Sequence, residues 1–170
     1  NRDKVSIYYL HVPSTEIPLE DTLKEINDCY AAGQLEAFGL SNFPAWQVVE
    51  ISQYCNRMGF VLPTVYQGVF NAVNRTAEYE LIPVLRNYGI RYYTHGTLAS
   101  GFLTGKYRRG DAIPEGTRFH KVPRFAERTL IDRNFDTLER VEGFAAEHGY
   151  PMVELAIAWL LHNQQVSSVI

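Results

Sequence analysis

Apolar residues along this chain follow two alternating rhythms. Short runs in which nearly every position is aromatic, aliphatic or β-branched give way to longer stretches with apolar residues three or four apart. Val5–Val12 is the first run, near-continuous in the manner of a parallel strand covered on both faces. Leu19–Ala32 then sets Leu19, Leu23, Ile26 and Tyr30 at helical spacing, with Gly33 where a C-terminal cap belongs. The cycle repeats. Ala37–Ser41 and Ala45–Met58 read as the second strand and helix, closed by Gly59, and Thr64–Phe70 and Ala77–Tyr88 as the third pair, closed by Gly89. Ile90–His95 is a fourth strand. A long segment from Gly96 to about Asp132 precedes a helix at Asn134–His148, which ends at Gly149. Pro151 suits a first helical turn, Val153–Asn163 is an apolar helix, and Val166–Ile170 is a fifth strand.

Strands alternating with helices predict an α/β fold of right-handed βαβ units on a parallel sheet. The unusual polar residues collect at the strand-to-helix turns: His11 after the first strand, Ser41 and Asn42 after the second, Gln67 and Asn71 on the third, His95 after the fourth. Ligands bind at the carboxyl ends of parallel strands in open α/β sheets and in (β/α)8 barrels alike. That end is the expected active face.

Composition narrows the choices. A length of 170 residues fits one domain, 1–170, with a real core, and 46% apolar with 21% charged residues is the balance of a folded soluble protein. The net charge of −3 is small, and basic residues are scattered apart from Lys106-Tyr107-Arg108-Arg109, so nucleic acid is not an expected partner. Cys29 and Cys55 fall in separate helical segments without CxxC spacing, which favours reduced, buried thiols over a disulfide or zinc site, and no metal is expected. No apolar run approaches a membrane span, and NRDKVSIYYL lacks the layout of a signal peptide, so the expected location is cytoplasmic.

Each candidate residue carries a structural alternative. His11 can act as acid, base or hydrogen-bond donor to a carbonyl oxygen, or be a buried histidine satisfied by backbone groups. Ser41 and Asn42 can cap the second helix, with Pro44 in its first turn, or face a ligand. Gln67, in an apolar strand, needs partners for its amide; a ligand carboxamide would supply them, and so would an internal network. The segment Gly96–Lys106 is rich in small residues and ends in a cation, so its backbone could approach a phosphate closely. It is not a P-loop, and the chain has no GxGxxG fingerprint. His120, His148 and His162 lack metal-ligand spacing and read as helix-surface or loop residues.

Taken in order, these stretches resemble the aldo-keto reductase superfamily. "VSIYYLHVP" is similar to its fourth barrel strand, "GLSNF" to the end of its fifth, "TVYQGVFNAVNR" to its sixth, and "GTLASGFLTGKY" to the loop after its seventh. "ELAIAWLLHNQQVSSVI" resembles the last helix and eighth strand, and "LPTVYQGVFNAVNR" is similar to the aflatoxin-aldehyde-reductase branch. The resemblance implies strands four to eight of a (β/α)8 TIM barrel, NADPH bound without a Rossmann domain, and hydride transfer to a small aldehyde or ketone. It implies that His11 hydrogen-bonds the substrate carbonyl oxygen. It further implies that Ser41, Asn42 and Gln67 hold the nicotinamide carboxamide, that His95 stands where a tyrosine usually stacks on the ring, and that Gly96–Lys106, with Leu98, Gly101 and Lys106, passes under the pyrophosphate.

There are departures from the family pattern. Ser6 replaces a common aspartate, and His95 offers a smaller π-face than tyrosine. The three βα units that carry the family's acid tyrosine, lysine and aspartate have no match in these residues. An incomplete barrel would leave Val5–Val12 and Val166–Ile170 as apolar edges, to be covered by a second copy, a partner chain or further strands. A truncated descendant using His11 and His95 for isomerisation, cyclisation or elimination, and a non-catalytic binding subunit, are the alternatives. The segment Arg108–Ile131, with Gly110, Pro114, Gly116 and Pro123, is expected to form a mobile lid.

Overall fold

The computed structural model describes residues 3–170. Its elements run β1 (Val5–Leu10), α1 (Leu19–Ala31), β2 (Leu35–Ser41), α2 (Ala45–Met58), β3 (Pro63–Val69), α3 (Leu81–Asn87), β4 (Arg91–His95), α4 (Arg118–Lys121), α5 (Pro123–Thr129), α6 (Asp132–His148), α7 (Met152–His162) and β5 (Val166–Val169). A short 3₁₀ segment occupies Thr76–Glu78, and 3₁₀-like turns interrupted by left-handed residues occupy Ala99–Thr104. Five parallel strands alternating with helices make an open sheet in the order β1-β2-β3-β4-β5, which fits part of an α/β TIM barrel. Register pairs Tyr9 with Gly39 and Ser41 with Gln67.

Contacts divide the chain into two compact units. The first runs to Gly68 and adds Thr76–Tyr93 and Gln165–Ser168; the second holds Val69–Arg75, Thr94–Gln164 and Val169–Ile170.

The first unit is centred on β2. Phe38, Leu40, Val48, Ile51 and Val65 are wholly buried, each side chain contributing about 1.5–3 kcal/mol of apolar burial. α2 presents Ala45, Val48, Ile51, Ser52 and Cys55 to this core, which is the i, i+3, i+7 stripe of an amphipathic helix. It stops at Gly59, whose φ of 68° only glycine adopts without strain, and the Phe60 N–H returns to the Cys55 carbonyl at 2.9 Å. β1 does not match its sequence pattern so well. Val5, Tyr8 and Val12 are exposed, so the run is not covered on both faces as expected. The reason is topological: among the described residues, β1 has β2 as its only strand neighbour.

The third helix is shorter than its periodicity predicts. Leu81–Asn87 is separated from the Thr76–Glu78 turn. Pro83 explains the break, because its ring clashes with the carbonyl four residues back and the helix cannot extend through Tyr79.

The second unit packs Phe102, Leu103, Tyr107, Phe119, Ala126, Phe135, Leu138 and Ala156 into one cluster. Phe102 meets Phe135 edge-on at 5.2 Å, and Tyr107 meets Phe119 at 4.7 Å. The segment expected to be a mobile lid carries two short helices, α4 and α5, and sends Phe119 and Ala126 into this cluster, while most of its other residues are exposed. Its glycines and prolines break it into helices too short to show a period. Among the described residues, no helix is long and apolar enough to cross a membrane.

Candidate functional site

In the first unit the polar residues at the ends of β1, β2 and β3 form a connected group. Asn42 has a left-handed backbone, φ 61°, a conformation that asparagine tolerates better than most side chains. From it the side-chain nitrogen donates to the His11 carbonyl at 2.9 Å and to Ser41 Oγ at 3.0 Å. The end of β1 is thereby tied to the end of β2. This corrects the capping alternative: α2 has Pro44 at its N-cap and no side-chain hydrogen bond there. Asn42 spends its amide nitrogen on the neighbouring strand instead, leaving its oxygen as an acceptor.

Ser41 is 2% exposed and stands beside Gln67 in register. The turn after β2 is fixed from below, where Tyr66 donates its hydroxyl hydrogen to the Phe43 carbonyl at 2.7 Å. Burial pushes that hydroxyl's pKa up to about 12, so it remains a donor throughout the neutral range. His11 is exposed, which sets aside the buried, backbone-satisfied alternative. Its backbone, not its ring, is anchored by Asn42.

Gln67 is half-buried, and its amide lies near the Tyr9 hydroxyl. Burial raises the Tyr9 pKa most, the nearby Tyr93 adds to this, and Arg91 and the Gln67 amide oppose it. The Tyr9 ring covers Gly39 so closely that a Cβ there would come within 2.6 Å of it. Sequence reasoning passed over Tyr9 and Gly39. The signal was available: the parallel register sets Tyr9 across from Gly39, two residues before Ser41.

In the second unit, His95 ends β4 half-buried, and its carbonyl accepts the Phe70 N–H at 3.4 Å. Asn71 donates to the Gly96 carbonyl at 2.8 Å and accepts from the Val73 and Asn74 N–H groups. The loop it anchors has three successive positive φ angles, at Ala99, Ser100 and Gly101. Leu98 closes this turn, its carbonyl accepting from the Gly101 and Leu103 N–H groups at 2.9 and 3.1 Å. Lys106 folds back onto it. A Cβ at Gly101 would be 2.8 Å from Lys106 Nζ, so glycine is required for that approach, and Nζ also lies 5.2 Å from the centre of the Tyr107 ring. Leu98, Gly101 and Lys106 are thus brought together, as His11, Ser41, Asn42 and Gln67 are in the first unit.

The cysteines differ from expectation in one respect. Cys55 is buried, but Cys29 is only half-buried, in a groove of about 350 Å³ lined by Tyr8, Leu10, Ile17 and Ile26.

Comparison with known proteins gives these arrangements a context. The sequence model of the aldo/keto reductase family matches residues 1–170. The chain is 36% identical to human aldo-keto reductase family 7 member A3, over 96% of this chain and 52% of that protein. It is also 36% identical to mouse aflatoxin B1 aldehyde reductase member 2, over 96% of this chain and 47% of that protein. A probable voltage-gated potassium channel subunit beta of Oryza sativa subsp. japonica is 38% identical, over 99% of this chain and 52% of its own length. The chain spans about half the length of these relatives. A match along the whole sequence, on a sheet of the expected topology, makes this chain a member of the aldo/keto reductase family.

Proposed function

We propose that the chain takes part in NADPH-dependent reduction of a small aldehyde or ketone to an alcohol, residues 1–170 acting as one domain. The observation that carries this reading is the tie between strand ends, in which Asn42 holds the His11 backbone and the Ser41 hydroxyl together. The donor set suits a carboxamide. Asn42 offers its oxygen, Ser41 a hydroxyl, and Gln67 an amide, which between them match one carbonyl and one NH2 group. In the second unit, the Leu98–Gly101 turn with Lys106 folded against it is a cradle that a side chain at position 101 would fill; an ammonium and closely approached backbone suit a pyrophosphate. Held by the carboxamide donors of the first unit, a reduced nicotinamide would supply the hydride.

The chain's own contribution is orientation. Ser41, Asn42 and Gln67 hold the carboxamide and so present one face of the ring. The exposed His11 imidazole donates a hydrogen bond to the substrate carbonyl oxygen, polarising it and stabilising the charge that develops there.

Fluorescence titration with NADPH tests the reading. Gln67→Ala should weaken binding about three- to tenfold, the value of one hydrogen bond, while His11→Ala should leave binding intact and lower carbonyl-dependent NADPH consumption. Equal binding by wild type and Gln67→Ala would defeat the assignment. A second reading, a subunit that binds the cofactor without turnover, is favoured by the similarity to the Oryza channel subunit. Tight binding with no consumption across a panel of aldehydes and ketones would select it.

A further inference from the structure

The basic run Lys106-Tyr107-Arg108-Arg109 does not act as one patch. α6 carries Asp132, Asp136, Glu139 and Glu142, spaced four, three and three residues apart, so the four carboxylates line one face of the helix. The two arginines take all four. Arg109 reaches Asp132 through Nη1 at 2.8 Å, Asp136 through Nη2 at 2.6 Å and Glu139 through Nε at 3.2 Å. Its guanidinium also lies 5.4 Å from the centre of the Phe135 ring. Arg108 pairs with Glu142.

Isolated surface ion pairs contribute little to stability. This arrangement differs, because one planar guanidinium is held by three carboxylates and a buried ring at once, and rigid polydentate geometry is what makes an arginine worth more than a point charge. The same helix face receives the preceding turn. A Cβ at Gly105 would stand 2.7 Å from Glu142 Oε1, so the backbone there lies directly on the carboxylate that Arg108 binds. Tyr107 between them is buried against Phe119. Lys106, the remaining member of the run, has no carboxylate partner among the described residues; its ammonium rests on Gly101 and over the Tyr107 ring.

We propose that Arg109 is a positioning residue for Lys106: its grip on α6 fixes the backbone of residues 105–108 and so holds the Lys106 ammonium over the Leu98–Gly101 turn, where a dinucleotide pyrophosphate would lie. This rests on the cofactor reading above. It also divides the run by task, with Lys106 left for an anion and the arginines committed to the helix. Arginines at 108 and 109 are then not anion ligands, although by sequence they are the densest positive charge in the chain.

The test is amide hydrogen exchange across residues 99–107 of the protein without ligand, beside NADPH titration, in wild type, Arg109→Gln and Lys106→Ala. Arg109→Gln should speed exchange in this segment about fivefold or more and weaken NADPH several-fold. Raising ionic strength should speed exchange in wild type and leave Arg109→Gln almost unchanged, because its clasp is already open. The exchanged pair Arg109→Glu with Asp136→Arg should restore part of both effects. Should Arg109→Gln fail to fold, Asp136→Asn with Glu139→Gln removes the partners from an exposed helix face and asks the same question. Unchanged exchange in 99–107 overturns the inference whatever happens to binding. Faster exchange with NADPH affinity lost in Lys106→Ala but kept in Arg109→Gln overturns the positioning role. Faster exchange with affinity kept in both variants overturns the cofactor reading and leaves the clasp standing.

Discussion

The β1–α1 and β2–α2 units are assembled from the same parts: an apolar strand, an amphipathic helix, a closing glycine and one cysteine near the helix end. In the second, Phe38 and Leu40 are fully buried and Cys55 lies in the core. In the first, Tyr8 is 46% and Val12 55% exposed, and Cys29 sits in an open groove. The difference comes from neighbours. β2 is flanked by β1 and β3, whereas among the described residues β1 has a strand on one side only. An apolar run states which residues can be buried, and its place in the sheet decides whether they are.

The sharpest way to break this comparison is to truncate an equivalent side chain in each unit. Phe38→Ala should cost about 3–5 kcal/mol, the range for emptying an aromatic site in a closed core. Tyr8→Ala should cost under about 1 kcal/mol, as expected away from buried features. Urea unfolding of the two variants gives both values; similar losses would mean that β1 is as firmly packed as β2.

Next in size is the contact between the two strands. A methyl added at Gly39 would meet the Tyr9 ring, and overpacking of this kind costs about 1–3 kcal/mol. Gly39→Ala should therefore destabilise, and Tyr9→Val in the same chain should relieve much of that loss. Additive losses in the double variant would show that the ring is not what the new methyl meets.

How much of this was legible beforehand follows the same physics. Periodicity located every strand and the longer helices, and α2 matched residue for residue, because those signals are local. The break before α3 was also readable, at Pro83, once a proline's effect on the preceding turn is applied. The exposed edge at β1 was readable too, from the resemblance to strands four to eight of a barrel. Two things were not. The folding of Gly96–Asp132 depends on Phe102, Tyr107 and Phe119 meeting α6 and α7 residues far along the chain. For Ser41 and Asn42 the residue types fit a cap, and only the left-handed backbone at Asn42 shows that the side chain turns toward β1 instead.

That link gives a smaller, separable effect. Asn42→Ala should cost about 1–2 kcal/mol, combining a strained left-handed alanine with the lost hydrogen bonds. Asn42→Gly keeps the backbone relaxed and removes only the side chain, so it should cost less. If both variants cost the same, the bond to His11 carries the whole effect and backbone strain none.

The smallest effect concerns the buried thiol. Burial pushes Cys55 up to about 11, while an unfolded cysteine ionises near 8.5. The neutral form is thus favoured in the folded state, and above roughly pH 9 the unfolded chain loses its proton first. It then binds fewer protons than the native state, so the slope of unfolding free energy against pH is negative and stability falls from about pH 9 to about pH 11. Below that window the contribution is fully present. Tyr66, held up to about 12 by burial, prolongs the fall at higher pH by the same reasoning. Cys55→Ala should flatten the decline between pH 9 and 11 without abolishing it. Alkylation separates the two units independently of pH linkage: Cys29, open to its groove, should react with maleimide in the native protein, and Cys55 only on the timescale of opening. Equal rates at the two thiols would mean that the core around α2 opens as readily as the groove beside β1, and the contrast between the two units would be one of average structure alone.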